Sequence, residues 1–153
     1  MKRTMKHILI AGLAWAAAGS ALAQVDVTSA WARSTVPGQG GTGAFMTIAA
    51  KEGGKLVGVA SPVAGVVELH EMAMENNVMK MRAIPSLDLP AGREVQLKPG
   101  GYHVMLLDLK RPLKVGEKVK IELRLEMRDG KRVTQPVEVE VRSTPPGQDA
   151  HKH

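Results

Sequence analysis

Between Val119 and Met127 apolar and charged side chains alternate without a break. Val119, Ile121, Leu123, Leu125 and Met127 fall on one set of positions, and Lys120, Glu122, Arg124 and Glu126 on the other. A period of two is that of a strand with one face in a core and one in water. Asp129-Gly130 follows as a hairpin turn, and Val137, Val139 and Val141 then alternate with Glu138, Glu140 and Arg142 on a return strand. One apolar and one charged face each put this pair on the outside of a two-layer sandwich. Upstream, Val25–Trp31 alternates as a first strand, and Ala44–Ala49 and Lys55–Ala60 read as the second and third. They are separated by the glycine-rich loop 37–41 and by Gly53-Gly54. No stretch before residue 66 holds a 3.6-residue apolar period beyond two turns, so the chain reads as all-β.

Residues 66–84 read as a hairpin with Asn76-Asn77 at its tip, because both Asn tolerate the positive φ of a two-residue type I′ turn. That turn sets Met74 opposite Met79, Met72 opposite Met81, Glu71 opposite Arg82, His70 opposite Ala83 and Leu69 opposite Ile84. Side chains alternate along a strand, so His70, Met72, Met74, Met79 and Met81 share one face. Leu69 and Ile84 begin the other, which suits a core and continues through a Glu71–Arg82 ion pair. The base of the hairpin thus belongs to the sandwich, its tip projects, and His70 and Met81 face outward. Residues 85–101 are rich in Pro and Gly and leave room for one short strand, Glu94–Leu97. Tyr102–Asp108 is a further strand, with His103, Met105 and Leu107 on one face and Tyr102, Val104 and Leu106 on the other.

The N-terminus changes the compartment. Lys2, Arg3 and Lys6 precede a short apolar run from Ile8 to Ala18, and Ala21-Leu22-Ala23 is a small-x-small cleavage pattern. Residues 1–23 are therefore read as a cleaved signal peptide, residues 24–142 as one domain and residues 143–153 as a flexible His-containing tail. Cleavage after Ala23 leaves a periplasmic product without a membrane span. Without the three leader cations the formal charge of +6 falls to +3, which does not suggest nucleic-acid binding. Past the leader the sparse aromatics, Trp31, Phe45 and Tyr102, offer no stacking platform. Zero Cys means a fold without disulfides and excludes a blue-copper centre, which needs a thiolate.

The candidate chemistry lies in the hairpin and the strand after it. Met72, Met74, Met79, Met81 and Met105 fall in one stretch with His70 and His103, the only His outside the leader and the tail. Thioether and imidazole together are the ligand chemistry of Cu(I). His103 and Met105 point the same way about 6.6 Å apart along a strand, and both can reach one ion. His70 and Met81 close the site if Tyr102–Asp108 lies beside the hairpin. The plain alternative is a Met-filled core, but Leu69 and Ile84 already supply the core face, and an exposed Met face without a ligand would be an unexplained apolar patch. Met72, Met74 and Met79 are auxiliary candidates. His151 and His153 form either a solvated terminus or a loose Cu(II)-binding arm. Lys110, Arg111, Lys114, Lys118 and Lys120 read as an ordinary charged sheet face or as a dock for an acidic partner.

The spacing His70-x10-Met81-x21-His103-x-Met105 resembles the signature of the periplasmic copper chaperone family called PCuAC. Val78-Met79-Lys80-Met81-Arg82, Leu89-Pro90-Ala91-Gly92 and Pro99-Gly100-Gly101-Tyr102-His103-Val104-Met105 agree with it. One departure is Glu71, where many members carry a Met. The resemblance implies a cupredoxin-like, Greek-key β-sandwich or barrel. It also implies delivery of Cu(I) toward the binuclear copper site of cytochrome c oxidase, with the oxidase subunit II copper domain or a Sco-type thioredoxin-fold copper protein as partner. Copper storage shares the same site and differs only in whether a partner removes the ion. A copper enzyme of the polysaccharide-oxidising type would need His at the mature N-terminus, where this chain has Gln24, and an adhesion sandwich would leave the Met–His face unaccounted for.

Overall fold

The computed structural model describes residues 25–148. The leader, its cleavage site, Gln24 and the tail residues His151 and His153 lie outside the described residues. Ten strands follow in chain order: β1 (Asp26–Arg33), β2 (Gly41–Ala49), β3 (Gly54–Ala60), β4 (Ala64–Glu75), β5 (Val78–Ala83), β6 (Leu87–Leu89), β7 (Glu94–Leu97), β8 (His103–Leu109), β9 (Lys118–Met127) and β10 (Arg132–Arg142). No helix occurs among the described residues, so none there is long and apolar enough to cross a membrane. The strands form one mixed sheet in the order β5-β4-β8-β2-β1-β10-β9-β3-β6, with β7 paired to β2. β1 and β10 run parallel, while β8 inserts between β2 and β4, so the connections cross over as in a Greek key.

Alternation decides which face is inside. In β9, Val119, Ile121, Leu123, Leu125 and Met127 are all buried, while Lys118, Lys120 and Arg124 are exposed. The same rule selects one row across five strands. Leu69 of β4 pairs with Val104 of β8, Val104 with Ala44 of β2, Ala44 with Ala32 of β1, and Ala32 with Val141 of β10. All five belong to a single buried core. Shifting any of these strands by one residue would put its polar face into that core, so burial fixes the register.

The hairpin register is the expected one from His70↔Ala83 through Met74↔Met79, and Ile84 N–H donates to Leu69 O at 2.9 Å. Asn76 and Asn77 have φ of 48° and 64°, as a type I′ turn requires. Glu71 accepts from Arg82 at 2.7 Å on the opposite face from the methionines. β4 leaves β8 at His70, so the rest of the hairpin projects beyond the sheet with β5 exposed along its whole length.

Two details differ from the sequence reading. Leu87–Leu89 is a strand, pairing with β3 through Leu87↔Leu56 and burying both Leu; its flanking prolines read as turn only. β10 also begins at Arg132 rather than Val137 and runs through Pro136, opposite Glu122. Proline has no N–H for a second ladder, and β1 pairs with β10 only at Glu140–Arg142, beyond the proline. Beside it, the Gln135 side-chain amide exchanges two hydrogen bonds with the backbone of Val25, holding the start of the domain in place of a ladder.

Candidate metal centre

One residue along from the core row, four of the same strands, β1, β2, β8 and β4, carry a second row on the other face, which β5 extends. Trp31 of β1 pairs with Phe45 of β2, Phe45 lies one step from the Ala44↔Val104 pair and so beside His103 of β8, His103 pairs with His70 of β4, and His70 with Ala83 of β5. The ring centroids confirm this line: Trp31–Phe45 4.8 Å, Phe45–His103 6.2 Å and His103–His70 5.6 Å. The guanidinium of Arg33 lies over Trp31 at 5.9 Å.

The next row holds Gly43, Met105 and Glu68. Glycine matters here. A Cβ on Gly43 would lie 2.8 Å from Phe45 Cζ, and one on Gly41 would lie 3.3 Å from Met105 Cε. The missing side chains let the Phe45 ring fold back along β2 against His103, and let the Met105 thioether settle over β2. A shallow cleft of about 280 Å³ opens there, with Arg33, Phe45, His103 and Met105 among its walls. A larger cleft of about 540 Å³ lies between Gly53–Lys55, Asp88–Ala91 and Glu126–Arg128 and contains none of the clustered His or Met donors.

His103 Nε2 and Met81 Sδ approach to 3.0 Å, so β5 and β8, on either side of β4, deliver a nitrogen and a sulfur to one point. His103 Nδ1–H donates to Gly101 O at 3.1 Å. His70 Nε2 lies 2.6 Å from Glu68 Oε2, and His70 Nδ1 is buried without a partner. Met105 flanks His103 at i+2 and is half-buried; Met72 faces Met81 across the hairpin; Met74 and Met79 face each other, exposed, nearer the tip. No group of three His, Cys, Asp or Glu side chains suited to a metal occurs among the described residues. The donors seen to converge, His103 Nε2 and Met81 Sδ, are an imidazole and a thioether, a soft pair.

The expectation that His70 and Met81 both face outward holds for Met81, which is 47% exposed, and fails for His70, which is 8% exposed. The face assignment was right. What strand alternation cannot show is that β5 on one side and the Phe45–Trp31 row on the other wall in the two imidazoles. Glu68 and Phe45 are site neighbours that the sequence reading passed over. The signal for Glu68 was available, since it stands two residues before His70 on the same strand face.

Burial holds the His103 imidazole below its ordinary range, outweighing the upward pull of the Gly101 hydrogen bond; His70 nearby adds a smaller downward push. The ordinary value, about 6.5, describes the unfolded chain. Above it His103 is neutral in both states and has no effect on stability. As pH falls through it, the unfolded chain takes up a proton that the folded chain resists, so stability is lost until the lowered folded value is passed. Denaturation of the metal-free protein should therefore show a lower midpoint at pH 5.5 than at pH 7, and His103→Gln should flatten that slope. Equal slopes in the two proteins would contradict the assignment.

The chain matches the family model "Putative lipoprotein LpqE-like" over residues 25–141. It is 37% identical over 121 residues to "Putative lipoprotein Lxx21020" of Leifsonia xyli subsp. xyli, covering 77% of this chain and 69% of that protein. Among solved structures it resembles apo-DR1885 from Deinococcus radiodurans at 35% identity, covering 93% of this chain and 97% of that one with a TM-score of 0.57. It also resembles the CuI form of DR1885 at 36% identity, covering 75% and 76% with a TM-score of 0.54. The apo PCuAC domain of PmoF1, 22% identical, covers 80% of this chain and 96% of that one with a TM-score of 0.60, a likeness of fold.

Proposed function

We propose, for a chain that belongs to the LpqE-like family and has the cupredoxin-like fold of PCuAC domains, the role of a periplasmic carrier of Cu(I) held by His70, Met81, His103 and Met105. The observation that carries this reading is the convergence of His103 Nε2 on Met81 Sδ at 3.0 Å beside the buried His70 ring. A carbonyl oxygen only accepts, so the His103 Nδ1–H bond to Gly101 leaves Nε2 as a lone pair facing another lone-pair donor. Two donors on one ion sit roughly 3.5 Å apart at a tetrahedral angle, taking zinc bond lengths as a guide. Met81, exposed and flexible on an edge strand, can supply that small adjustment. Support from relatives comes from DR1885, solved in a CuI form and 36% identical.

The donors divide into two kinds. His70 and His103 are buried anchors, and Met81 is an exposed lip at the base of a projecting hairpin that also shows Met74 and Met79 to solvent. A partner's ligand can bind the copper from the lip before the imidazoles let go. The ion then passes by stepwise ligand exchange with no change in oxidation state. Neutral donors add no charge to hold Cu(II), and thioethers do not protonate, so acid weakens the site only through its imidazoles. Met72 is the nearest substitute for Met81, and Met74 and Met79 are auxiliary thioethers. His151 and His153 are proposed as the loose Cu(II) arm. The family's lipoproteins support export, and the recipient proposed is the copper domain of cytochrome c oxidase subunit II or a Sco-type copper protein.

The test is anaerobic transfer. Cu(I)-loaded protein is mixed with the apo copper domain of an oxidase subunit II, the two are separated, and copper is measured in each. Movement of most of the metal to the oxidase domain is expected. Retention on the loaded protein would replace delivery by storage.

A further inference from the structure

We propose that Glu68 is a positioning residue of this site: its carboxylate fixes the tautomer of His70, so that His70 offers Nδ1 and His103 offers Nε2 to the same Cu(I). Glu68 and His70 stand two apart on β4, on one face of the strand, and Glu68 Oε2 lies 2.6 Å from His70 Nε2. An ionised carboxylate only accepts, so the hydrogen is on Nε2, and a neutral imidazole has one N–H. Nδ1 is then a bare lone pair. It is also the one buried side-chain nitrogen or oxygen among the described residues without a hydrogen-bond partner.

Such an atom calls for an explanation, because a buried acceptor without a partner has lost its water and gained nothing. A metal explains it. Histidines that bind metals usually give their second ring nitrogen to a carboxylate or a backbone carbonyl, which orients the ring and strengthens it as a donor. This site has one of each: Glu68 behind His70, and Gly101 O behind His103 at 3.1 Å. The two rings are thus held in opposite tautomers, with centroids 5.6 Å apart. Glu68 is not itself taken as a ligand. Its hard oxygen suits Cu(I) poorly, and Oε2 is already engaged by His70. Opposite it in the ladder stands Met105, so it braces the site from the row that bears the second thioether.

The tautomer assignment is independent of copper; the role toward copper deepens the proposed function and rests on it. The test uses nitrogen-15 NMR of both rings in the metal-free protein at neutral pH, together with Cu(I) competition against a chromophoric chelator. His70 is expected in the Nε2–H form and His103 in the Nδ1–H form. Glu68→Ala should leave His103 unchanged, turn His70 into a mixture of tautomers and weaken Cu(I) binding by about 10–100-fold. Glu68→Gln keeps an oxygen acceptor and should restore the single tautomer. His70 found as Nδ1–H in the parent protein would overturn the proposal. So would a Glu68→Ala protein with the tautomer unchanged, whatever its affinity. If the parent shows the stated tautomers but no Cu(I) binding, the copper reading of the site fails and the role of Glu68 toward the metal fails with it.

Discussion

A protein carrying His103→Ala and Met105→Ala together is expected to bind Cu(I) more than about 100-fold more weakly than the parent, since loss of a mere outer-shell partner can already cost that much. The pair removes the nitrogen that Met81 approaches at 3.0 Å and the thioether two residues along β8. What remains is His70 and Met81, from β4 and β5, with no donor from β8 between the hairpin and β2. The fold should survive, because both side chains lie on the face of β8 opposite Val104 and Leu106, which are fully buried in the core. Chelator competition measures the affinity, and a denaturation curve run alongside separates lost ligands from lost structure. A folded double variant with parental affinity would remove the four-residue site, and Met72 and Met74 on the hairpin would become the next donors to test.

The legible and illegible parts of this chain divide along a physical line. Face assignment needs only alternation and a turn of known length. The Asn76-Asn77 turn therefore gave every pair from His70↔Ala83 to Met74↔Met79, and β9 could be read from its alternation alone. Neighbours across strands distant in sequence are another matter. Nothing local to Phe45 says that its ring will lie against His103, because that depends on β8 inserting between β2 and β4 and on Gly43 leaving room for the ring. Burial of His70 went unforeseen for the same reason. The placement of β8 beside the hairpin was a condition of the sequence reading, and the His70↔His103 pairing meets it. Leu87–Leu89 was hidden by composition: three residues are too few to show a period, and Pro85 and Pro90 mark the same window as turn.

Leu106→Ala should separate the core from the site by the opposite pattern, a large loss of stability with unchanged copper binding. Leu106 is fully buried, sits on the inner face of β8 opposite Val67 and Thr42, and immediately follows Met105, whose side chain is on the outer face. Cutting a buried Leu to Ala costs about 2–5 kcal/mol, the spread reflecting how far neighbours collapse into the cavity. A domain of this size shifts its melting temperature by roughly 3–5 °C per kcal/mol, so the metal-free variant should melt about 6–25 °C lower. At the proposed site Cu(I) would bind only the assembled donors, and free metal at about 1,000 times the dissociation constant would then add about 4.1 kcal/mol to the folded state. Loading should therefore raise the melting temperature of variant and parent alike and bring the variant back near the metal-free parent. Chelator competition well below the melting transition should return the parental affinity, since no donor has moved. A fall in affinity that tracks the fall in stability would mean that the outer row is held by the fine packing of the core rather than by strand register. The His103–Met81 approach would then be a consequence of core packing, and the division between buried anchors and a mobile Met81 lip would not stand.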